Sequence, residues 1–278
     1  MQQDDVAYLA QMLRRRSGLA LIQPRPQIIE NRLAPVMRRF GFRDLHSLVG
    51  ELRHGRDALA RAVTEAMTTN ESSFFRDREA FEQFEETVLP GLMSRRMASR
   101  KLRIWCAACA AGQEAYSIAM LLADMKLRAE GWTVDVIATD ICAEMIERAE
   151  RGLYSHFEVQ RGLPVRRLVE NFTQEGPNWR ISEPLRRMVT FRQFNLLDSF
   201  GWLDDVDVVF CRNVLMYFDN KTKAGVLDRS AEVLASDGYL LLGPVETAHG
   251  LSSEFEPVAG APGVYVKARR QLPRAANA

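Results

Sequence analysis

From Lys101 onward the chain alternates short apolar runs with amphipathic stretches, and no other feature restricts its fold as strongly. The runs Leu102 to Ala107, Val134 to Thr139, Met188 to Asn195, Val206 to Cys211, Tyr239 to Gly243 and Gly263 to Lys267 predict strands. Helical spacing between them predicts helices over Ala115 to Glu130, Ala143 to Gly152 and Lys221 to Ala235. Such alternation is the pattern of an α/β fold built on a doubly wound parallel sheet. Right-handed crossovers then bring the strand C-termini to one edge, where ligands bind. The stretch from about 154 to 187 breaks the rhythm. A helix over Pro164 to Asn171, the turn Gly176-Pro177-Asn178 and the run Trp179-Arg180-Ile181 predict a small inserted subdomain.

Residues 1–67 read differently. Apolar positions recur at three and four through Val6, Leu9, Leu13, Ile29, Leu33, Val36, Leu48, Leu52, Leu59, Val63 and Met67, which predicts a small all-helical domain. Pro24 and Pro26 separate its first two helices, Gly41 closes the second, and Pro35 should kink or shorten it. Residues 68–100 form a linker and a helix, followed by the α/β domain over 101–268. The Pro, Ala and Arg tail, 269–278, is expected to be disordered.

With 278 residues and 47% hydrophobic content, the chain can bury a sizeable core. A net charge of +1 gives no global field toward nucleic acid or an anionic membrane, so any charge argument is regional. The start, Met1-Gln2-Gln3-Asp4-Asp5, is not a secretory signal, and no apolar run approaches the roughly 20 residues of a membrane span, so a cytoplasmic location is expected. Cys106-x-x-Cys109 has zinc-like spacing but no second pair or His partners, and with Cys142 and Cys211 reads as buried thiols; no metal is expected.

Candidate site residues fall at the strand ends. After the first strand, Ala107-Ala108-Cys109-Ala110-Ala111-Gly112 is a run of small residues that lets a ligand approach the backbone at a helix N-terminus. Glu114 follows in that helix. Asp140 ends the second strand about 20 to 30 residues later, where ribose hydroxyls are held in such folds, and it is also placed to cap the next helix. Together these features point to a nucleoside-containing cofactor. Asn195 and Leu196 follow the next strand, and Asn213, Val214 and Tyr217 follow the one after it. Ahead of them all stands Thr68-Thr69-Asn70-Glu71-Ser72-Ser73-Phe74-Phe75-Arg76, too polar for a core strand and too rich in hydroxyls and aromatics for a mere linker.

Taken together, that segment and Gly112-Gln113-Glu114-Ala115-Tyr116-Ser117, Ala138-Thr139-Asp140-Ile141, Asn195-Leu196-Leu197 and Phe210-Cys211-Arg212-Asn213-Val214-Leu215-Met216-Tyr217-Phe218 resemble the chemotaxis receptor methyltransferases of the CheR family, in order, over roughly residues 5 to 268. The resemblance implies a Rossmann-like S-adenosylmethionine-dependent methyltransferase domain behind a helical receptor-recognition domain. It implies methyl transfer to receptor glutamates, with S-adenosylhomocysteine as the other product. The family's cofactor contacts carry over to Asn70, Ser72, Arg76, Glu114, Asp140, Asn195, Leu196, Asn213 and Val214. Ser72 stands where Thr is usual, and Gln113 and Ala115 replace the Glu and Pro of a Gly-Glu-Glu-Pro-Tyr-Ser run.

A glutamate nucleophile has an ordinary pKa of about 4.3 and needs no general base. Alignment and water exclusion should therefore carry the catalysis, with Tyr217 beside the sulfonium and Arg76 at the reaction centre as the catalytic candidates. For an acidic receptor helix, Arg14, Arg15, Arg16, Arg25, Arg32, Arg38, Arg39 and Arg43 offer a basic surface against the single acid Glu30, and Arg32, Arg39 and Arg43 are expected to share a helix face. The partners implied are the cytoplasmic methylation helices of receptors, met by a monomer recruited to membrane receptor arrays. The short loop Gln174 to Asn178 favours action independent of a receptor pentapeptide tether. One alternative is a nucleic-acid methyltransferase, but the Pro-Pro-Tyr step of adenine-modifying enzymes is missing before Tyr217. The other is a non-catalytic cofactor-binding regulator, against which the presence of Arg76 and Tyr217 speaks.

Overall fold

A computed structural model describes residues 3–21, 25–127 and 130–268. Pro24 and the tail 269–278 lie outside the described residues. The N-terminal domain consists of α1 (Gln3–Ser17), α2 (Pro26–Phe40), α3 (Leu45–Arg53) and α4 (Asp57–Met67). Their apolar stripes meet in one core around Leu9, Leu13, Ile29, Leu33, Leu48, Val49, Leu59 and Val63. Each fully buried side chain of this kind contributes about 1.5–3 kcal/mol. The helix runs through Pro35 rather than stopping there. Pro35 and Asn31 are both exposed, so the carbonyl deprived of its helical donor lies on the solvent side, where water replaces it.

What ends α2 is Gly41, at φ +77°, with the Phe42 amide donating back to the Met37 carbonyl at 2.9 Å. Asp44 then caps α3 by accepting from the Ser47 amide at 2.8 Å. Arg43 therefore lies in the turn between the two helices. The single helix face expected for Arg32, Arg39 and Arg43 breaks at Gly41, because helical spacing holds only within a helix.

The strands are β1 (Lys101–Ala107), β2 (Thr133–Asp140), β3 (Leu153–Ser155), β4 (Phe172–Glu175), β5 (Asn178–Ile181), β6 (Val189–Gln193), β7 (Val206–Cys211), β8 (Leu234–Leu242), β9 (Phe255–Pro257) and β10 (Val264–Lys267). A seven-stranded sheet has the order β6-β2-β1-β7-β8-β10-β9. The first five strands pair in parallel, whereas β10 runs antiparallel to β8 and β9 antiparallel to β10. The expected purely parallel sheet thus gains an antiparallel edge, since no helix between β8 and β10 makes the crossover that a parallel return requires. The short β9 escaped the sequence reading because Pro257 is a poor strand residue, tolerated at an edge. Helices Gln113–Asp124, Ala143–Arg151 and Asn220–Val233 cover the sheet. Along β1, Leu102, Ile104 and Cys106 enter one core while Trp105 and Ala107 enter the other, so both faces are buried.

The chain leaves β1 for β2 on one side and returns to β7 on the other, which opens a crevice at the C-terminal edge. Two further pieces close over it. The insert forms its own antiparallel sheet, β3-β5-β4, with only Gly176 and Pro177 between β4 and β5. The N-terminal domain docks through Leu19, which bridges Phe218, while the Ala20 amide donates to the Tyr217 carbonyl at 2.8 Å. Gly18 is required at this junction: its φ is +78°, and a Cβ would stand 2.9 Å from Thr222.

Candidate active site

The crevice encloses about 920 Å³ of open space, its mouth and the solvent there included. Asn70, Ser72, Arg76, Glu114, Asp140, Asn195, Leu196, Asn213, Val214 and Tyr217 all line it. Residues spread over nearly 150 positions of sequence are thereby brought to one cavity. Ser17 and Leu19, at the end of α1 and just beyond it, also line it, and no sequence signal marked them.

The β1 exit is unusual backbone. Ala108 (φ +59°) and Ala110 (φ +47°) adopt the left-handed conformation although neither is glycine, and Gly112 follows at φ +89°. A Cβ on Gly112 would lie 2.8 Å from the Ala149 Cβ, so the turn is packed hard against the neighbouring helix. Asp140 holds this turn: its carboxylate accepts the Ala110 amide at 2.8 Å and the Cys142 amide at 2.9 Å. Burial pushes its pKa up, while the amides of Cys142, Ala110 and Ile141 pull it back.

Glu114 is buried in the first turn of the helix that follows. One of its oxygens accepts from the Cys106 thiol at 3.0 Å, the other from the Arg212 guanidinium at 2.5 Å. Burial, with Glu114 beside it, raises the Cys106 thiol well above its ordinary pKa, which keeps it a donor. The replacements at Gln113 and Ala115 leave Glu114 on the cleft wall.

Across the crevice the segment Thr68 to Asp77 is irregular and largely half-buried. Phe74 anchors it, wholly buried with its ring 5.0 Å from Tyr154 and 5.6 Å from Phe172 of the insert. Gly162 of the insert lies so close to the Phe74 carbonyl that a Cβ there would be 2.1 Å away. Arg161 pairs with Glu71 at 2.9 Å and lowers its pKa. The Asn70 Oδ1 accepts from the Thr68 hydroxyl at 3.0 Å. Arg76 donates to the Glu71 carbonyl at 2.9 Å.

Three sequence-stated residues have structural occupations of their own. Asn195 donates to the Arg16 carbonyl at 2.6 Å, joining α1 to the cleft. Arg32 donates to the carbonyls of Met67 and Thr68 at 2.6 and 3.2 Å and to the Thr69 hydroxyl at 3.1 Å, so it caps the end of α4 and steadies the linker. Arg39 stacks over Phe40, 5.5 Å from the ring centre. Neither Arg39 nor Arg43 lines the cleft, and neither forms an ion pair among the described residues.

Two residues without a sequence-based role prove central. Arg212 is wholly buried and links Glu114 to the linker. Glu246 accepts the amides of Asn213 at 2.7 Å, Gly243 at 2.9 Å and Met216 at 3.1 Å, and so fastens the turn that carries Tyr217. An Arg between a buried strand and a polar turn was a faint signal for the first; Glu246 gave none.

The family described as "CheR methyltransferase, SAM binding domain" matches residues 70–264, and "CheR methyltransferase, all-alpha domain" matches residues 4–68. Chemotaxis protein methyltransferase 1 of Pseudomonas aeruginosa is 36% identical over 261 residues, covering 92% of this chain and 95% of that protein. Chemotaxis protein methyltransferase Cher2 of Pseudomonas putida is likewise 36% identical over 262 residues, with 92% and 95% covered. The chemotaxis protein methyltransferase of Borreliella burgdorferi is 30% identical over 254 residues, 89% of either chain. With both domains matched in order over nearly its whole length, this chain belongs to the CheR family of S-adenosylmethionine-dependent methyltransferases.

Proposed function

We propose that the protein transfers the methyl group of S-adenosylmethionine to glutamate side chains of methyl-accepting chemotaxis receptors, giving glutamyl methyl esters and S-adenosylhomocysteine. The observation that carries this reading is the linker itself, which brings Asn70, Ser72 and Arg76 across the same cleft that Glu114 and Asp140 line from the sheet.

The residues fit the cofactor. Asp140 offers carboxylate lone pairs to ribose hydroxyls, and Glu114 offers an anionic wall to an ammonium group. The left-handed Ala108 to Gly112 turn lets a ligand lie close to the backbone. Asn195 and Leu196, following β6, and Asn213 and Val214, following β7, complete the wall. When bound, S-adenosylmethionine supplies an electrophilic methyl group on a sulfonium. The side chains orient and desolvate, because an ionised glutamate attacks without a general base. Tyr217 presents an electron-rich ring to the sulfonium, and Arg76 pairs with a carboxylate, either the cofactor's or the incoming substrate's.

Receptor recognition falls to the exposed arginines at the end of α2 and in the turn after it, Arg38, Arg39 and Arg43. Arg32 contributes indirectly, by holding the linker. The same reading takes the protein to act as a monomer. No helix among the described residues is long and apolar enough to cross a membrane; the reading places the protein in the cytoplasm, recruited to receptor arrays. The two-residue connection between β4 and β5 supports tether-independent action. Titration with a receptor C-terminal pentapeptide tests that point, and micromolar binding would overturn it.

The deciding experiment incubates the protein with methyl-labelled S-adenosylmethionine and receptor cytoplasmic fragments. Base-labile label in the fragments is expected, as for an ester. Label appearing in nucleic acid instead, or none anywhere despite cofactor binding, would favour the nucleic-acid methyltransferase or the non-catalytic regulator.

A further inference from the structure

We propose that Arg212 is a positioning residue that locks the turn Phe75-Arg76-Asp77 onto Glu114 and so fixes Arg76 at the mouth of the cleft. The inference deepens the methyl-transfer reading and rests on it.

The Arg212 side chain is 0% exposed. Its Nη1 donates to Glu114, and its Nη2 donates to the Arg76 carbonyl at 2.7 Å and to Asp77 Oδ2 at 3.1 Å. The Phe81 ring covers the guanidinium, 5.4 Å from its carbon. A buried charge is tolerated only when paired and hydrogen-bonded, and the rigid fork of arginine reaches acceptors in two directions where a lysine reaches one cluster.

The gripped turn needs such a hold. Phe75 (φ +49°) and Asp77 (φ +53°) are both left-handed non-glycine residues, a conformation kept only where the surroundings over-determine it. The backbone hold comes from Ser117, whose hydroxyl accepts the Phe75 amide at 3.0 Å, and from Arg212 at the next residue, while Phe81 and Arg167 pack on the Phe75 ring. Among the described residues the Arg76 side chain itself makes one hydrogen bond, to the Glu71 carbonyl. Its direction is therefore set by the backbone beneath it, and Arg212 ties that backbone to the cofactor wall.

The test compares Arg212→Lys and Asp77→Ala with the wild type, reading S-adenosylhomocysteine affinity by calorimetry, kcat at saturating cofactor with receptor fragments, and amide exchange at Phe75. A lysine keeps the pairing with Glu114 but releases the turn. Arg212→Lys is expected to hold affinity within about threefold while kcat falls about 30-fold and Phe75 exchanges about tenfold faster. Asp77→Ala is expected to move kcat and exchange in the same direction, by about threefold. Unchanged exchange and kcat in Arg212→Lys would overturn the proposal, as would a parallel loss of affinity and kcat, which marks a role through Glu114 alone. Should Arg212→Lys fail to fold, Asp77→Ala decides, and wild-type values there overturn it. If the wild type methylates no receptor fragment, the functional reading fails separately, and Phe75 exchange alone decides the positioning role.

Discussion

On the sheet side of the cleft, Asp140 accepts two backbone amides and Glu114 is gripped by Cys106 and Arg212, all within the buried core. On the linker side, Asn70, Ser72 and Arg76 ride on irregular backbone that is half open to solvent and hangs from Phe74, Ser117 and Arg212. The first wall is preorganised by packing, as cofactor recognition requires; the second is held at a few points and can meet a macromolecular substrate. The difference predicts that changes to the sheet wall act mainly on cofactor affinity, whereas changes to the linker wall act mainly on turnover.

The hardest test of that division is Arg76→Ala. It removes the cation proposed for the reaction centre while leaving the sheet wall intact, so kcat for receptor methylation is expected to fall about 100-fold or more in a radiometric assay at saturating cofactor. A loss confined to cofactor affinity would place Arg76 with the sheet wall instead. Asp140→Ala strips the proposed ribose acceptors and orphans the amides of Ala110 and Cys142, so affinity for S-adenosylhomocysteine is expected to weaken by about 30-fold in calorimetry. Normal affinity would remove Asp140 from the cofactor site.

A smaller effect is expected from Arg39→Glu with Arg43→Glu. The double variant should lower kcat/KM for receptor fragments about tenfold at low salt, with the gap to wild type narrowing as salt rises, since exposed charges act through a screened field. Cofactor affinity should stay at the wild-type value. The pair is chosen over Arg32, whose bonds to Met67, Thr68 and Thr69 would make reversal there disturb the cleft as well. Equal kcat/KM for variant and wild type at low salt would exclude this surface from receptor recognition. The smallest change is expected for Tyr217→Phe, about threefold in kcat, because the ring face persists and only the hydroxyl is lost. A loss as large as that of Arg76→Ala would mean that the hydroxyl, not the ring, acts in the reaction.

Much of the fold was legible because periodicity is a local signal. The runs that became β1, β2 and β7 stand out since strands buried on both faces must be apolar throughout, as Ile104, Trp105 and Cys106 show. The insert was visible as a break in rhythm, although its three strands were not, because Leu153–Ser155, Phe172–Glu175 and Asn178–Ile181 are too short to carry alternation. The edge strand Phe255–Pro257 was hidden because it is short and ends in a proline. At the site, Asp140 and Asn213 were legible as polar residues ending apolar strands. Arg43 was misplaced onto α2 because helical spacing was counted past Gly41, which the sequence itself marked as a stop.

By itself, the sequence determined the helical domain, the strand-helix alternation, the polar strand ends and, through its resemblance to a family, the cofactor and the chemistry. Each depends on neighbours along the chain or on a motif of a few residues. Only the tertiary structure decided which charges meet. Arg212 finds Glu114 across 98 positions, and Asn195 finds the Arg16 carbonyl across 179. Burial makes such pairings obligatory for a charged or polar group, but it does not name the partner; the packing of the sheet, the linker and the first helix around one cleft does.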